Sequence, residues 1–319
     1  MSFLNKLLGL EAEELPEVEV VLQQAAASAD VGISKKTFRQ LNQFKANGAP
    51  AQGIDFYRAL YFLSRKQTSA AIQAVKEELR YHPNHPEALA LLESLRPGLP
   101  ASDDADDSDD LLRVARAYTM VGEKRLRSLY QHAKTLCEQD IPGHFVECGV
   151  AAGGTSALLA GVISQHSQRD RLLFAFDTFE GMPEPGKWDT HDGQPANESG
   201  WGQGTCAAPE TSLMKAAAEL DATEYVRPVK GLFADTLPAH RDEVSAIALL
   251  HVDGDWYQST LDILENLYEL VSPGGIIQID DYGYWEGCRK AVKKFEQNSK
   301  LKLELTPIDG TGVWLKKSH

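Results

Sequence analysis

With 319 residues and 43% hydrophobic content, the chain is long enough for two domains and apolar enough to bury a core in each. A net charge of −14 excludes the basic footprint that nucleic-acid binding requires, and no apolar run approaches the roughly 20 residues of a membrane span. The four cysteines, Cys137, Cys148, Cys206 and Cys288, have neither metal-ligand spacing nor the pattern of a secreted framework. The segment Met1 to Leu10 lacks the basic start and cleavage site of a signal peptide, so the expected compartment is the cytoplasm.

Residues 16–96 carry helical periodicity, broken near Ala29-Asp30, Asn47-Gly48 and His82-Pro83. From Ile54 to Leu95 the spacing resembles a tetratricopeptide unit, with Ala71 at the small-residue position, Pro83 at the terminator and a new helix from Pro86. This gives an all-α domain over residues 1–100, either a packing domain or a surface for a protein partner. Pro97-Gly-Leu-Pro100 is followed by Asp103, Asp104, Asp106, Asp107, Asp109 and Asp110, which reads as a solvated acidic linker over 101–110. The second domain, 111–319, opens with one or two amphipathic helices between Leu111 and Glu138, around Tyr118-Thr-Met120-Val121.

Gly143 to Ser156 then supplies a strand, a glycine-rich turn and a helix start, in the order Glu147-Cys-Gly149-Val-Ala-Ala-Gly153. Glycines in such a turn let a ligand approach the backbone, and the helix N-terminus offers free amides. Leu172 to Phe176 forms a second strand ending in Asp177-Thr178-Phe179, which puts an acid where α/β nucleotide folds hold ribose hydroxyls. The alternative for Asp177 is a helix N-cap. Tyr225 to Val229 forms a third strand, ending in Lys230-Gly231-Leu-Phe233.

The richest stretch is a β-α-β unit. Ile247 to Val252 ends in Asp253-Gly-Asp255, and Gly275 to Ile279 ends in Asp280-Asp281, with a helix predicted between them. Both strand ends emerge on one sheet edge, so Asp253, Asp280 and Asp281 converge there. Three carboxylates together need a counter-charge, and a hard cation such as Mg²⁺ is the first candidate. Strand alternation turns His251 into the helix layer, in a packing role. Leu301–Leu305 and Gly312–Leu315 are expected to form a terminal hairpin with Asp309-Gly310 in its turn. The whole describes a doubly wound α/β sheet with an antiparallel edge.

From about Tyr118 to Lys317 the chain resembles the macrocin O-methyltransferase family. The resemblance rests on Phe145-Val-Glu-Cys-Gly-Val, Phe176-Asp-Thr-Phe-Glu-Gly-Met-Pro, Lys230-Gly-Leu-Phe-Ala-Asp-Thr-Leu-Pro, Val252-Asp-Gly-Asp-Trp-Tyr-Gln-Ser-Thr, Ser272-Pro-Gly-Gly, Ile279-Asp-Asp-Tyr and Ile308-Asp-Gly-Thr-Gly-Val. It implies a Rossmann-like class I fold and Mg²⁺-assisted methyl transfer from S-adenosylmethionine to a hydroxyl of a sugar or glycoside. On this resemblance Met120, Val121, Glu147, Gly149, Gly153, Ser156, Asp177, Thr178, Phe179, Gly231, Phe233 and Asp253 line the cofactor pocket. Asp253, Asp280 and Asp281 bind Mg²⁺, and Asp253 accepts the proton. A homodimer fits the family's habit.

Two positions depart from related enzymes. Trp256 stands where catechol methyltransferases carry a lysine base, which disfavours a phenolic acceptor. The loop Glu184 to Pro209 has one histidine, His191, as a candidate catalytic residue, with Trp188 and Trp201 suited to stacking on a sugar ring in a mobile lid. The competing readings are methylation of a non-sugar diol or phenol, and a helical-repeat interaction protein whose methyltransferase-like part is not catalytic.

Overall fold

The computed structural model describes residues 18–29, 32–46, 51–65, 67–82, 85–95, 108–198 and 200–318. The chain divides into two compact units, residues 1–101 and 102–319. The first holds α1 (Val18–Ala27), α2 (Lys35–Ala46), α3 (Ile54–Ser64), α4 (Thr68–Tyr81) and α5 (Pro86–Leu95). Its apolar side chains bury in two clusters, one around Leu41 and Ile54 and one in which Ala59, Ala71, Val75 and Ala88 meet. Glu78 of α4 is buried and caps α3: its carboxylate accepts the backbone N–H groups of Gly53 at 2.7 Å, Asp55 at 3.1 Å and Phe56 at 3.2 Å. Those are donors that a helix start leaves without intrahelical partners. Pro83, the expected terminator, lies outside the described residues, as do the linker aspartates from Asp103 to Asp107.

The second unit begins with α6 (Ser108–Tyr118), so the last three residues of the expected linker are helical instead. Asp110 sits in the first turn, where the helix dipole favours negative charge. A break at Thr119–Gly122 separates α6 from α7 (Glu123–Glu138), resolving the Leu111–Glu138 stretch into two helices. There follow β1 (His144–Cys148), α8 (Gly154–His166), β2 (Leu173–Asp177), a small hairpin of β3 (Thr190–His191) and β4 (Gln194–Pro195), α9 (Glu210–Ala218) and β5 (Val226–Lys230). The chain continues with α10 (Phe233–Ala239), α11 (Arg241–Val244), β6 (Ile247–Val252), α12 (Tyr257–Leu267), β7 (Val271–Ile279), α13 (Glu286–Ser299), β8 (Thr306–Pro307) and β9 (Val313–Lys316).

The main sheet runs β5-β2-β1-β6-β7-β9-β8. It is parallel from β5 to β7, and β9 and β8 add the antiparallel edge. Alternation along each strand sends side chains to two cores. Val146, Cys148, Phe176, Leu250, Val252 and Ile277 pack with helices α10, α12 and α13, while Phe145, Leu173, Leu249 and Ile276 pack with α6 to α9. The terminal hairpin departs from expectation. Leu301–Leu305 is not a strand, and Thr306–Pro307 pairs with Val313–Trp314 in its place. Leu303 is nevertheless buried against the core, which accounts for its apolar character.

At the carboxyl edge the parallel ladder continues one step past the strands. Gly149 N–H donates to the Phe176 carbonyl at 3.0 Å, Asp253 N–H to Cys148 at 2.9 Å and Asp280 N–H to Val252 at 2.9 Å. These bonds align the Gly149 turn with the aspartate tips. Gly149 has φ +96°, and a Cβ there would collide with the Asp253 carbonyl. Gly149→Ala should therefore lower unfolding stability by more than about 1 kcal/mol, since an L side chain meets both strain and a clash. Urea unfolding checks this, and an unchanged midpoint would show that the turn is free to move.

Candidate active site

The site grows out of these aligned strand ends. Asp253, Asp280 and Asp281 come together as the β-α-β reading required, each offering a carboxylate oxygen, with these oxygens within 4.8 Å of one another. Burial raises Asp253 well above the usual carboxylate range, and Asp280 and Asp281 add to the rise. Asp281 is pushed to about 7 by burial and by Asp280, against the pull of Arg125. Asp280 Oδ1 and Asp281 Oδ2 are buried and accept no hydrogen bond from a protein donor. An oxygen-rich cluster with acceptors left over suits a hard cation.

Asp255, two residues beyond Asp253, was not singled out as a site residue by sequence. It has φ +53°, a left-handed conformation that Asp tolerates better than most residues. Trp285 Nε1–H donates to its Oδ1 at 2.9 Å, while burial and then Asp281 raise its pKa well above the ordinary value.

Beneath the cluster, on the α6–α9 face, a polar row crosses the sheet. Glu147 on β1, His251 on β6 and Gln278 on β7 are register partners, and all three are fully buried. Ser156 of α8 donates to Glu147 Oε2, and His251 Nδ1–H donates to Glu147 Oε1 at 2.7 Å. His251 Nε2 lies 3.5 Å from Asp280 Oδ1. Burial alone would lower the His251 pKa, but Asp280 and Glu147 outweigh it and hold the imidazole up at about 9. His251 does enter the helix layer, as alternation requires, yet it bridges carboxylates there instead of serving as packing. Ser156 and Glu147, both expected to line the cofactor pocket, face each other in this row.

Arg125, in the first turn of α7, closes the row. It donates to Asp280 Oδ2, and its Nε–H donates to Asp309 Oδ2 at 3.1 Å. Burial pulls its pKa down, but Asp280, Asp281, Asp309 and Asp253 together hold it above the ordinary guanidinium value. Nothing in the sequence pattern distinguishes Arg125 from the other basic residues of an amphipathic helix.

The expected cofactor residues lie around the same edge. Asp177 Oδ2 accepts Val150 N–H at 2.6 Å and Ala151 N–H at 3.1 Å, and Oδ1 accepts Phe179 N–H at 2.7 Å. Its carboxylate thus latches the Gly149 turn to the tip of β2. Thr178 Oγ1 donates to the Gly181 carbonyl at 2.7 Å, and Phe179 is nearly buried with φ +53°. Gly231 N–H donates to the Asp177 carbonyl at 2.9 Å, and Phe233 packs beside Gly254, the residue between the two aspartates of that tip. Gly153 leaves no room for a Cβ against Leu213, and Gly154 none against Ala115 and Thr119. That contact brings the α6–α7 break, with Met120 and the nearly buried Val121, against the start of α8.

The loop from Glu184 to Pro209 contains the β3–β4 hairpin. Asp189, 2% exposed, fastens it by accepting Gly186 N–H and Tyr257 N–H, each at 2.7 Å. His191 Nδ1 lies 2.9 Å from the Tyr284 carbonyl, and its ring stacks on Tyr284 at 4.0 Å. A carbonyl only accepts, so Nδ1 carries the proton, and Nε2 lies 3.7 Å from Asp192 Oδ2. Trp256 is buried and donates from Nε1 to the Pro183 carbonyl at 2.9 Å, so the position of the catechol lysine holds the loop. Trp188 is 42% exposed, with Lys187 and Lys290 over its ring at 4.7 and 4.9 Å.

Comparison with known proteins agrees with this fold. The macrocin O-methyltransferase (TylF) family model matches residues 72–317, a span that starts within α4 and so ahead of the Tyr118 start of the motif resemblance. The chain is 35% identical over 206 residues to the demethyldecarbamoylnovobiocin O-methyltransferase of Streptomyces niveus, covering 64% of this chain and 78% of that protein. It is 37% identical over 202 residues to the 8-demethyl-8-(2,3-dimethoxy-alpha-L-rhamnosyl)-tetracenomycin-C 4'-O-methyltransferase of Streptomyces olivaceus, covering 62% and 75%. The solved structure of the O-methyltransferase NovP superposes with a TM-score of 0.56 at 33% identity, covering 63% of this chain and 83% of that one. The chain belongs to the macrocin O-methyltransferase family and is a class I, S-adenosylmethionine-dependent O-methyltransferase.

Proposed function

We propose that this enzyme methylates a hydroxyl of a sugar or glycosylated small molecule with the help of Mg²⁺ held by Asp253, Asp280 and Asp281. The observation that carries the cation is the cluster itself, in which Asp281 Oδ2 is buried with no hydrogen-bond donor and Asp280 Oδ1 has only His251 Nε2 near it, at 3.5 Å. When bound, Mg²⁺ supplies positive charge that orients acceptor oxygens and eases loss of a hydroxyl proton. The sugar acceptor is supported by the rhamnosyl substrate named for the Streptomyces olivaceus relative. Asp177, through the Gly149 turn, keeps the helix start of α8 presented to the cofactor, while Met120, Val121, Phe179, Gly231 and Phe233 border the same edge.

The chemistry asks little beyond placement. The acceptor oxygen attacks the sulfonium methyl in line, the carbon–sulfur bond breaks, and S-adenosylhomocysteine leaves with the electron pair. The hydroxyl proton needs an acceptor. Asp253, assigned that role by resemblance, belongs to the ligand set, so we assign the proton to Asp255, a carboxylate beside the cluster that Trp285 Nε1–H holds at 2.9 Å. His191, held on Tyr284, is left as a substrate contact through Nε2. The Trp256 geometry argues against a phenolic acceptor activated by lysine. For residues 1–101 a helical domain is proposed, with the buried Ala71 of α4 in keeping with a tetratricopeptide-like pair. Three of the four thiols are buried and all four are free, which suits a cytoplasmic setting. Among the described residues no helix is long and apolar enough to cross a membrane.

Asp281→Ala should lose both Mn²⁺ binding, read by electron paramagnetic resonance, and more than about a hundredfold in turnover on a panel of sugar acceptors, with its melting curve retained. Full turnover of exhaustively chelated wild-type protein would remove the cation from the mechanism. Asp255→Asn should keep Mn²⁺ affinity and lower kcat by about 10² to 10⁴, the range for a lost general base. Loss of Mn²⁺ in that variant would instead make Asp255 a ligand.

A further inference from the structure

We infer that Arg125 is a positioning residue that links cofactor binding to cation binding, with Asp280 as the junction. The inference rests on the cation reading above, but its content concerns residues outside the proposed ligand set. Asp280 is 2% exposed and is gripped from two sides. On one side His251 Nε2 stands 3.5 Å from Oδ1, and its other nitrogen binds Glu147, at the start of the Gly149 turn. On the other, Arg125 binds Oδ2, and its Nη1–H also reaches the Asp280 carbonyl at 3.3 Å. Each arm therefore leads from one aspartate to a segment bordering the cofactor pocket.

The Arg125 arm is the more telling because Arg125 stands in the first turn of α7, next to Met120 and Val121, which are expected to line the cofactor pocket. Gly122 precedes it by one helical turn, and the Thr119–Gly122 break lies directly ahead. A Cβ on Gly122 would approach Arg125 Nη2 at 3.2 Å, and one on Gly312 would approach its Cδ at 2.5 Å, so the side chain fills a slot between two glycines. The Asp309 carboxylate that receives its Nε–H is itself fixed, accepting Thr311 N–H and Gly312 N–H at 2.8 Å each. Gln278 Nε2–H donates to the Arg125 carbonyl at 3.2 Å, tying the backbone of α7 to β7 as well. Fixing Asp280 in a cation's ligand set thus fixes the guanidinium, and through it the start of α7 and residues 119–122. By the reciprocity of linkage, ordering that segment on the cofactor must in turn favour the cation. A lysine retains the charge but cannot span Asp280 and Asp309 with a planar fork.

The test is calorimetric titration of S-adenosylhomocysteine into chelated and Mn²⁺-loaded protein, alongside Mn²⁺ titration of each. In the wild type, Mn²⁺ should tighten S-adenosylhomocysteine binding by about fivefold or more. In Arg125→Lys and Arg125→Gln that ratio should fall to within about twofold of unity, with Mn²⁺ still bound by both. Asp309→Asn, which leaves the guanidinium in place and loosens its outer anchor, should give an intermediate ratio. A merely structural role would weaken both ligands together and preserve the wild-type ratio in the variants, and that result overturns the proposal. Wild-type protein that binds Mn²⁺ without any effect on S-adenosylhomocysteine overturns it while leaving the cation reading intact. Wild-type protein that binds no Mn²⁺ overturns both.

Discussion

Charge compensation at the carboxyl edge of the sheet is the constraint on which the rest of the site depends. Asp253 and Asp280 are held at neighbouring strand tips by backbone bonds to Cys148 and Val252, with Asp281 in the same cluster and Asp255 and Glu147 close to those tips in the chain. Burial and mutual repulsion both favour their neutral forms, which is why Asp253, Asp255 and Asp281 are all raised. Two protein cations oppose that tendency, Arg125 and a His251 held up at about 9. Removing either would leave a buried carboxylate unpaired, which costs more than an intact pair contributes. Both cations face Asp280, Arg125 through a hydrogen bond and His251 Nε2 at 3.5 Å, while Asp253, Asp255 and Asp281 keep their raised pKa values. That asymmetry leaves one side of the cluster fit to take a further cation.

The polar row below the cluster follows from the same constraint. A parallel sheet buried on both faces should present apolar side chains, and on the α10–α13 face the register partners Val146, Leu250 and Ile277 do. On the α6–α9 face Glu147, His251 and Gln278 interrupt the pattern at one level across three neighbouring strands. Each is tied either to its neighbour or to α7 and α8, so the row joins the helices to the aspartates. The buried Gln278 Oε1 and His251 Nε2 lack full hydrogen-bond partners, which marks the row as functional more than stabilising.

The strands of the sheet were legible because their burial is written as apolar runs, and the aspartates were legible because they sit where such runs stop. The terminal hairpin was misplaced by the same logic: Leu303 is apolar because it is buried, whereas ladder pairing falls to Thr306 and Pro307, both exposed. Periodicity reports burial, and an exposed edge strand does not advertise itself. Arg125 was illegible because a charged residue on an amphipathic helix normally faces water, and only the third dimension turns it toward Asp280. His251 lies inside an apolar strand, where sequence shows its face but not the two carboxylates waiting on it. Asp189 could have been suspected from its place between Trp188 and His191, yet one of its two partners, Tyr257 N–H, lies on α12, 68 positions away in the chain.

The loop between β2 and α9 shows how this scaffold separates fixed from variable duties. Its anchors are buried and point inward: Asp189 binds the first N–H of α12, Trp256 binds the Pro183 carbonyl, and the Gly287 backbone leaves space for the Asp189 carboxylate. Trp256 and Trp285 meet edge to face at 4.9 Å, so the indole holding the loop supports the indole holding Asp255. The two indoles thus join the loop to the Asp255 carboxylate beside the aspartate cluster. Trp188 is exposed on the same loop, whereas the His191 ring meets Trp285 edge to face at 6.1 Å. Under the proposed function, the loop that would meet the acceptor and the proposed base Asp255 therefore rest on the same pair of indoles.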